Sequence, residues 1–399
     1  MSTPTPDQVL LPTYGAPART FVSGHGSWLT DDAGRDHLDF LCGLAVTSLG
    51  HAHPAITEAI TAQASTLSHT SNLFATTPAL ELAAKLRDAA GWADGRAFFC
   101  NSGAEANEAA IKLARRHGKH RDPGKVNVVA LTGSFHGRLL GALKLTGNPA
   151  KHEPFEPLGS WVTHVPHDDP DALAAAVDDG TCAVWVEVLQ GEGGVRPLDA
   201  AMLERAREVC DAHDALLVVD EVQTGIGRLG EWYGWQTTSV VPDVICLAKG
   251  LANGLPIGAI LAHGVAAKAF QPGDHASTFG GNPVACAAAN AVMDVIDRED
   301  LLANTRAMGE RLADGLITLD SPHVVGQRGR GLLRALLLDA PVSAAVTGHA
   351  LEQLLVVNNV ASDAVRLAPP LNVTPDEIDE GLRRLGLALS AATHENGTS

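Results

Sequence analysis

From about residue 98 to residue 262 the chain repeats one pattern: a short, nearly all-apolar run, then a longer stretch with helical spacing of Leu, Ala, Val and Ile and charge on the opposite face. Runs of that length with no polar alternation are strands covered on both faces, which is the situation of a parallel sheet with crossover helices. Strands are expected at 96–100, 127–131, 183–188, 216–219, 244–247 and 258–262, and helices at 104–117, 170–177 and 198–213. The middle of the chain therefore reads as one α/β domain built on a mostly parallel sheet.

After the alanine-rich stretch 284–292 the texture changes. A helix through Arg311, a strand-like 331–338 and a last helix from Pro375 suggest a smaller α+β unit. The N-terminal segment, with a turn-rich hairpin signal at 22–38, has too little apolar length to fold alone and is expected to pack with that tail. This divides the chain into 1–59 (part of the small domain), 60–290 (large domain) and 291–399 (the rest of the small domain).

Composition removes several classes of function. Lys plus Arg is 29 against 46 for Asp plus Glu, a formal charge of −17, and such a field repels phosphate backbones and anionic bilayers. Neither nucleic acid nor a membrane is an expected partner. The leucine-rich stretch from Leu332 is interrupted by Arg334 and Asp339, too soon for a membrane span. No basic residue precedes Arg19 and no apolar leader follows, so a cytoplasmic location is expected. The six cysteines are scattered without a C-x-x-C pair, and His51, His53 and His69 lack acid or Cys ligands at metal spacing, so no metal is expected. Gly225, Gly227 and Gly230 satisfy G-x-G-x-x-G, but the aromatic segment Glu231, Trp232, Tyr233, Gly234, Trp235 follows where a nucleotide site needs a helix.

Three places carry chemistry. Ser102, Gly103 and Ala104 sit where an apolar strand turns into a helix, with Ser102 and Glu105 spaced as a capping box. A helix N-terminus of this kind suits a phosphate, and equally describes an ordinary capped helix. Asp220 ends one apolar strand and Lys249 follows another. Strand carboxyl ends are where open α/β sheets bind ligands, and desolvation there lowers a lysine pKa toward a usable nucleophile. A structural Asp–Lys ion pair is the alternative from these two residues alone.

Eight strings, in order, carry a resemblance: NSGAEANEAAIKLAR, SFHGR, QGEGGV, DEVQTGIGR, AKGLANGLPIGA, STFGGNP, RGRGLL and VRLAPPL. Together they resemble the class III pyridoxal-phosphate aminotransferases over about Gly43 to Leu371. The resemblance implies the fold type I architecture, a large mostly parallel α/β domain plus a smaller α+β domain from both termini. It further implies a homodimer with active sites at the subunit interface and transfer of a terminal amino group to 2-oxoglutarate. N-acetylornithine is the expected donor, with ornithine, succinylornithine and 4-aminobutyrate as alternatives.

By the same resemblance, Lys249 links to the cofactor aldehyde and later shuttles the proton, while Asp220 faces the pyridine nitrogen. Ser102, Gly103 and Ala104 cradle the phosphate, and Thr278 is a phosphate ligand donated from the other subunit. Phe135 and Val222 cover the two faces of the ring and Gln223 reaches its phenolic oxygen. For substrates, Arg138 is expected to hold the far carboxylate of the donor and Arg366 the α-carboxylate of glutamate or 2-oxoglutarate. Glu192 pairs with Arg366 while an ω-amine donor is bound, and Ser277 joins the substrate contacts. The sequence departs from the family at Val188, where Pro often follows the acid, and at Ala52, where Cys is common.

Overall fold

The computed structural model describes residues 6–396. After a short helical turn at Pro6–Val9 comes an antiparallel meander of β1 (Phe21–His25), β2 (Trp28–Asp31) and β3 (Asp36–Asp39). The expected hairpin is thus three strands, because Asp31 closes a second turn by accepting from the N–H groups of Ala33 (3.0 Å) and Arg35 (2.9 Å).

The large sheet begins with β4 (Arg96–Cys100), β5 (Asn127–Leu131), β6 (Val162–Val165) and β7 (Thr181–Val186). A two-residue-per-strand hairpin, β8 (Leu189–Gln190) and β9 (Arg196–Pro197), interrupts it. The sheet resumes with β10 (Leu216–Asp220), β11 (Val244–Leu247) and β12 (Gly258–Ala262), giving the order β6-β5-β7-β10-β11-β12-β4. Only β12 runs against its neighbours. β6 escapes the sequence pattern because it is a sheet edge with Thr163 exposed and His164 half-buried, so its apolar signal is weak. β7 ends two residues before the expected 188, where the chain leaves the sheet to deliver Glu187.

Alternation along the central strands feeds two cores. Val128, Ala130, Trp185, Val218 and Cys246 pack on one face with the alanine side of helix Gly103–Arg121, while Val129, Val184, Leu217, Val219 and Ile245 belong to the main core on the other. Small side chains at Ala106, Ala109, Ala110 and Ala114 let that helix approach the sheet closely.

The C-terminal region forms a second antiparallel sheet from β13 (Val324–Arg330), β14 (Leu333–Leu338), β16 (Asn358–Ala361) and β17 (Ala364–Leu367), in the order β13-β14-β17-β16. The short β15 (Leu355–Val356) instead pairs in parallel with β3, joining the first strands of the chain to its last quarter. All six cysteines are buried and unpaired. Among the described residues, no helix is long and apolar enough to cross a membrane.

Candidate active site

The parallel strands β4, β5, β7, β10 and β11 all release their carboxyl ends toward one cavity of about 410 Å³. It receives Ser102, Gly103 and Ala104 from the turn after β4, Phe135 and Arg138 from the loop after β5, and Glu192 from the β8–β9 hairpin. Asp220, Val222, Gln223 and Lys249 complete the set from β10 and β11. Arg366 stands directly behind, bonded to Glu192 and Gln223. Ser277 is one residue removed, its Oγ accepting from Asn101 Nδ2 at 3.3 Å. Thr278 does not reach the cavity. It lines a separate space of about 320 Å³ with the 69–76 segment.

At the sheet end of the cavity Asp220 is buried and held by three donors. Oδ2 accepts from Asn107 Nδ2 and His136 Nδ1, both at 2.8 Å, and Oδ1 accepts from the Val222 N–H at 3.0 Å. Asn107 is itself oriented by Trp185, whose Nε1 donates to Asn107 Oδ1 at 3.0 Å. The carboxylate is therefore held in one position before any ligand arrives. Lys249 follows β11 in a left-handed conformation with φ 45°. Burial lowers its pKa, aided by the charge of Arg366 and opposed by Glu192, Asp220 and Glu187. Glu187 is driven the other way: burial and then the charge of Asp220 raise it well above the usual carboxylate range.

The capping box differs from its expected form. Ser102 Oγ accepts from Glu105 N at 3.2 Å, but Glu105 Oε2 reaches past Ser102 to Asn101, accepting from its backbone N–H at 2.9 Å and its side-chain amide at 2.8 Å. Gly103 and Ala104 thus begin the helix at the cavity wall, where first-turn N–H groups lack intrahelical acceptors. A side chain at 103 would place Cβ 2.8 Å from Val222 Cγ1, so glycine keeps this cradle open.

At the opposite end Arg366 is 1% exposed. Its Nη1 donates to Glu192 Oε1 at 2.6 Å and Gln223 Oε1 at 3.1 Å, and Nε donates to Asn358 Oδ1 at 3.2 Å. Nη2 is buried without a partner among the described residues. An unpaired guanidinium N–H in such a place is costly and suited to an incoming carboxylate. Burial would raise the Glu192 pKa, yet the charge and hydrogen bond of Arg366 outweigh it and hold Glu192 below its ordinary value. Arg138 lies over the Phe135 ring, Cζ 5.6 Å from the centroid, as a second cation at the wall.

Sequence reasoning passed over Asn107, His136 and Glu187, which line the same cavity. The signals existed. Asn107 is one helical turn after Gly103, His136 lies between Phe135 and Arg138, and Glu187 is an acid just past a strand end, like Asp220. The G-x-G-x-x-G segment forms turns followed by the short helix Gly234–Thr237 rather than a nucleotide-binding helix.

The family model for aminotransferase class III matches residues 13–389. An acetylornithine aminotransferase of Mycolicibacterium smegmatis is 47% identical over 390 residues, covering 98% of both chains. One from Streptomyces coelicolor is 48% identical over 390 residues, covering 97% of this chain and 95% of the relative. Among solved structures, the ornithine aminotransferase of Toxoplasma gondii superposes with a TM-score of 0.93 at 30% identity, covering 98% of this chain and 94% of that one. The N-acetylornithine aminotransferase of Stenotrophomonas maltophilia superposes with a TM-score of 0.84 at 36% identity, covering 96% and 98%. The fold is that of the pyridoxal-phosphate-dependent aminotransferases, and the chain belongs to the class III aminotransferase family.

Proposed function

We propose that this chain is a pyridoxal-phosphate-dependent ω-aminotransferase that transfers the terminal amino group of N-acetylornithine to 2-oxoglutarate in arginine biosynthesis. The observation that carries the reading is a buried lysine of lowered pKa lining the cavity, together with a buried arginine just behind the wall residues Glu192 and Gln223 whose Nη2 has no partner among the described residues. The nearly full-length likeness to acetylornithine aminotransferases supports the choice of donor.

The residues fit the cofactor. The open cradle at Gly103 and the helix N-terminus beside it match a phosphate, and the preorganised Asp220 matches a pyridine nitrogen. When bound, pyridoxal phosphate supplies an aldehyde that captures amines and a protonated ring that withdraws electrons. Ser102, Gly103 and Ala104 would hold its phosphate, Phe135 and Val222 its faces, Gln223 its phenolic oxygen and Asp220 its ring N–H. Lys249 Nζ, neutral more readily than an ordinary lysine, would take the proton from the reacting substrate carbon and pass it to the carbon that carried the cofactor's aldehyde, the reverse transfer serving the second half-reaction.

Arg138 receives the far carboxylate of the donor, which brings the terminal amine to Lys249. Arg366 receives the α-carboxylate of glutamate or 2-oxoglutarate once Glu192 releases it, and Ser277 adds a contact through Asn101. Thr278 would serve the phosphate of a second copy, consistent with its exposure and with exposed Leu73, Phe74 and Phe279 around it. The working unit in this reading is a cytoplasmic homodimer.

The test is a panel of N-acetylornithine, ornithine, N-succinylornithine and 4-aminobutyrate, each with 2-oxoglutarate, read as kcat/KM. N-acetylornithine is expected to lead. A higher value for ornithine or 4-aminobutyrate would overturn the donor assignment.

A further inference from the structure

Arg328 and Arg366 occupy one row of the small sheet. Arg328 of β13 faces Ala335 of β14, Ala335 faces Arg366 of β17, and Arg366 faces Asn358 of β16. Residues directly opposed in antiparallel strands project to the same side. Two guanidinium groups therefore stand on one face, separated by a residue no larger than alanine.

Both hold the same loop, the 191–195 connection between β8 and β9. Arg366 Nη1 donates to the Gly191 carbonyl at 3.3 Å as well as to Glu192, and Arg328 Nε donates to the Gly194 carbonyl at 2.7 Å. Only Glu192 and Gly193 lie between the two grips. Gly194 has φ +101° and an added Cβ would lie 2.6 Å from Arg328 Nη2, so the guanidinium rests against bare backbone.

We propose that Arg328 is a positioning residue for the Glu192–Arg366 contact: by anchoring the far end of the loop at Gly194, it sets how readily Arg366 is given up to a substrate carboxylate. The proposal rests on the reading of Arg366 as the carboxylate site. Ordering free backbone opposes any contact that requires it. With position 194 tethered, Glu192 returns to Arg366 by a local movement. Without the tether, each return must order the whole loop, and Glu192 spends more time away. Arg366 then stands open, which favours glutamate over an ω-amine donor.

The experiment uses cofactor-loaded enzyme with Arg328→Met, Arg328→Lys, Gly194→Ala and Arg366→Ala. Two quantities are read: the ratio of single-turnover rates with glutamate and with N-acetylornithine, and the dissociation constant of glutarate, an unreactive dicarboxylate, by calorimetry. Arg328→Met is expected to move the ratio toward glutamate by about five- to tenfold and to tighten glutarate in parallel, the scale of one ordinary hydrogen bond, because the lost contact acts on Arg366 only through the loop. Arg328→Lys restores part of the ratio. Gly194→Ala, which displaces the same guanidinium, shifts it in the same direction even if Arg328→Met folds poorly. Equal loss in both half-reactions, or an unchanged ratio and glutarate constant, overturns the role of Arg328. If Arg366→Ala also leaves glutarate binding intact, the carboxylate reading of Arg366 fails with it; if Arg366→Ala abolishes binding, that reading stands and Arg328 alone is refuted.

Discussion

The two ends of the cavity are built on opposite principles. At the large-sheet end Asp220 is locked by Asn107, His136 and the Val222 N–H, with Trp185 fixing Asn107 in turn. Nothing there needs to move. At the small-sheet end Arg366 is occupied by Glu192, a contact internal to the protein that must break before a ligand carboxylate can use the same N–H groups. A preorganised group stabilises developing charge without reorganising. An exchangeable ion pair does something different, letting one site accept substrates that do and do not present a carboxylate there. In the proposed function, the rigid end would serve chemistry common to both half-reactions, and the exchangeable end the choice between them.

Substitutions at the rigid end should therefore damage both half-reactions alike, and by the largest amounts. Lys249→Ala is expected to lower turnover by about 10,000-fold or more, the upper range for loss of a proton-transferring group, while the protein still binds the cofactor without a covalent link. Steady-state transamination within tenfold of wild type would break the assignment. Asp220→Asn should follow, with about a 100- to 1,000-fold loss of turnover on either substrate and a much smaller change in the unfolding midpoint of cofactor-free protein. Unchanged turnover at neutral pH would show that the preorganised charge is not used.

At the exchangeable end the effects should be smaller and should differ between substrates. Arg366→Ala is expected to weaken glutamate and 2-oxoglutarate by about 10- to 150-fold, roughly 1.5–3 kcal/mol for a lost charge-assisted contact, with less effect on N-acetylornithine. Arg138→Ala should show the reverse preference. Equal losses on both substrates in both variants would erase the distinction between the ends.

The smallest effect is one of pH. Lys249 has a depressed pKa, so its neutral form appears at lower pH than that of surface lysines. In cofactor-free protein, competitive acylation followed by mass spectrometry should give Lys249 a midpoint below the other lysines. Glu192 is also depressed, so its pairing with Arg366 is present above the ordinary carboxylate range and lost only as pH falls through its lowered value. The glutamate to N-acetylornithine preference should then stay flat from about pH 6 to 8. A preference that titrates within that window would place the exchange in a different group.

Much of the rigid end could be read from the chain because strand periodicity and local order place it. An acid or a lysine just past a buried strand arrives at the same rim of the sheet whatever else happens, which is why Asp220, Lys249 and the Ser102 turn were legible. The same logic applied to Glu187 would have found it, had the end of β7 been placed two residues earlier. The seven-stranded sheet was likewise visible strand by strand, except β6, whose half-exposed edge leaves almost no apolar signature. Its order and the reversal of β12 were not, since strand neighbours are chosen by packing between segments far apart in the chain.

By itself the sequence determined the α/β class, most of the central strands and which side chains reach the sheet's carboxyl rim, because those follow from short-range periodicity that burial enforces residue by residue. No local pattern brings Glu192 to Arg366 across 174 positions, a contact that only the family resemblance led one to expect, and only the tertiary structure decided that Arg328 lies on the same row and grips the same loop. Register between distant strands depends on the complete set of packed neighbours, and no local pattern encodes it.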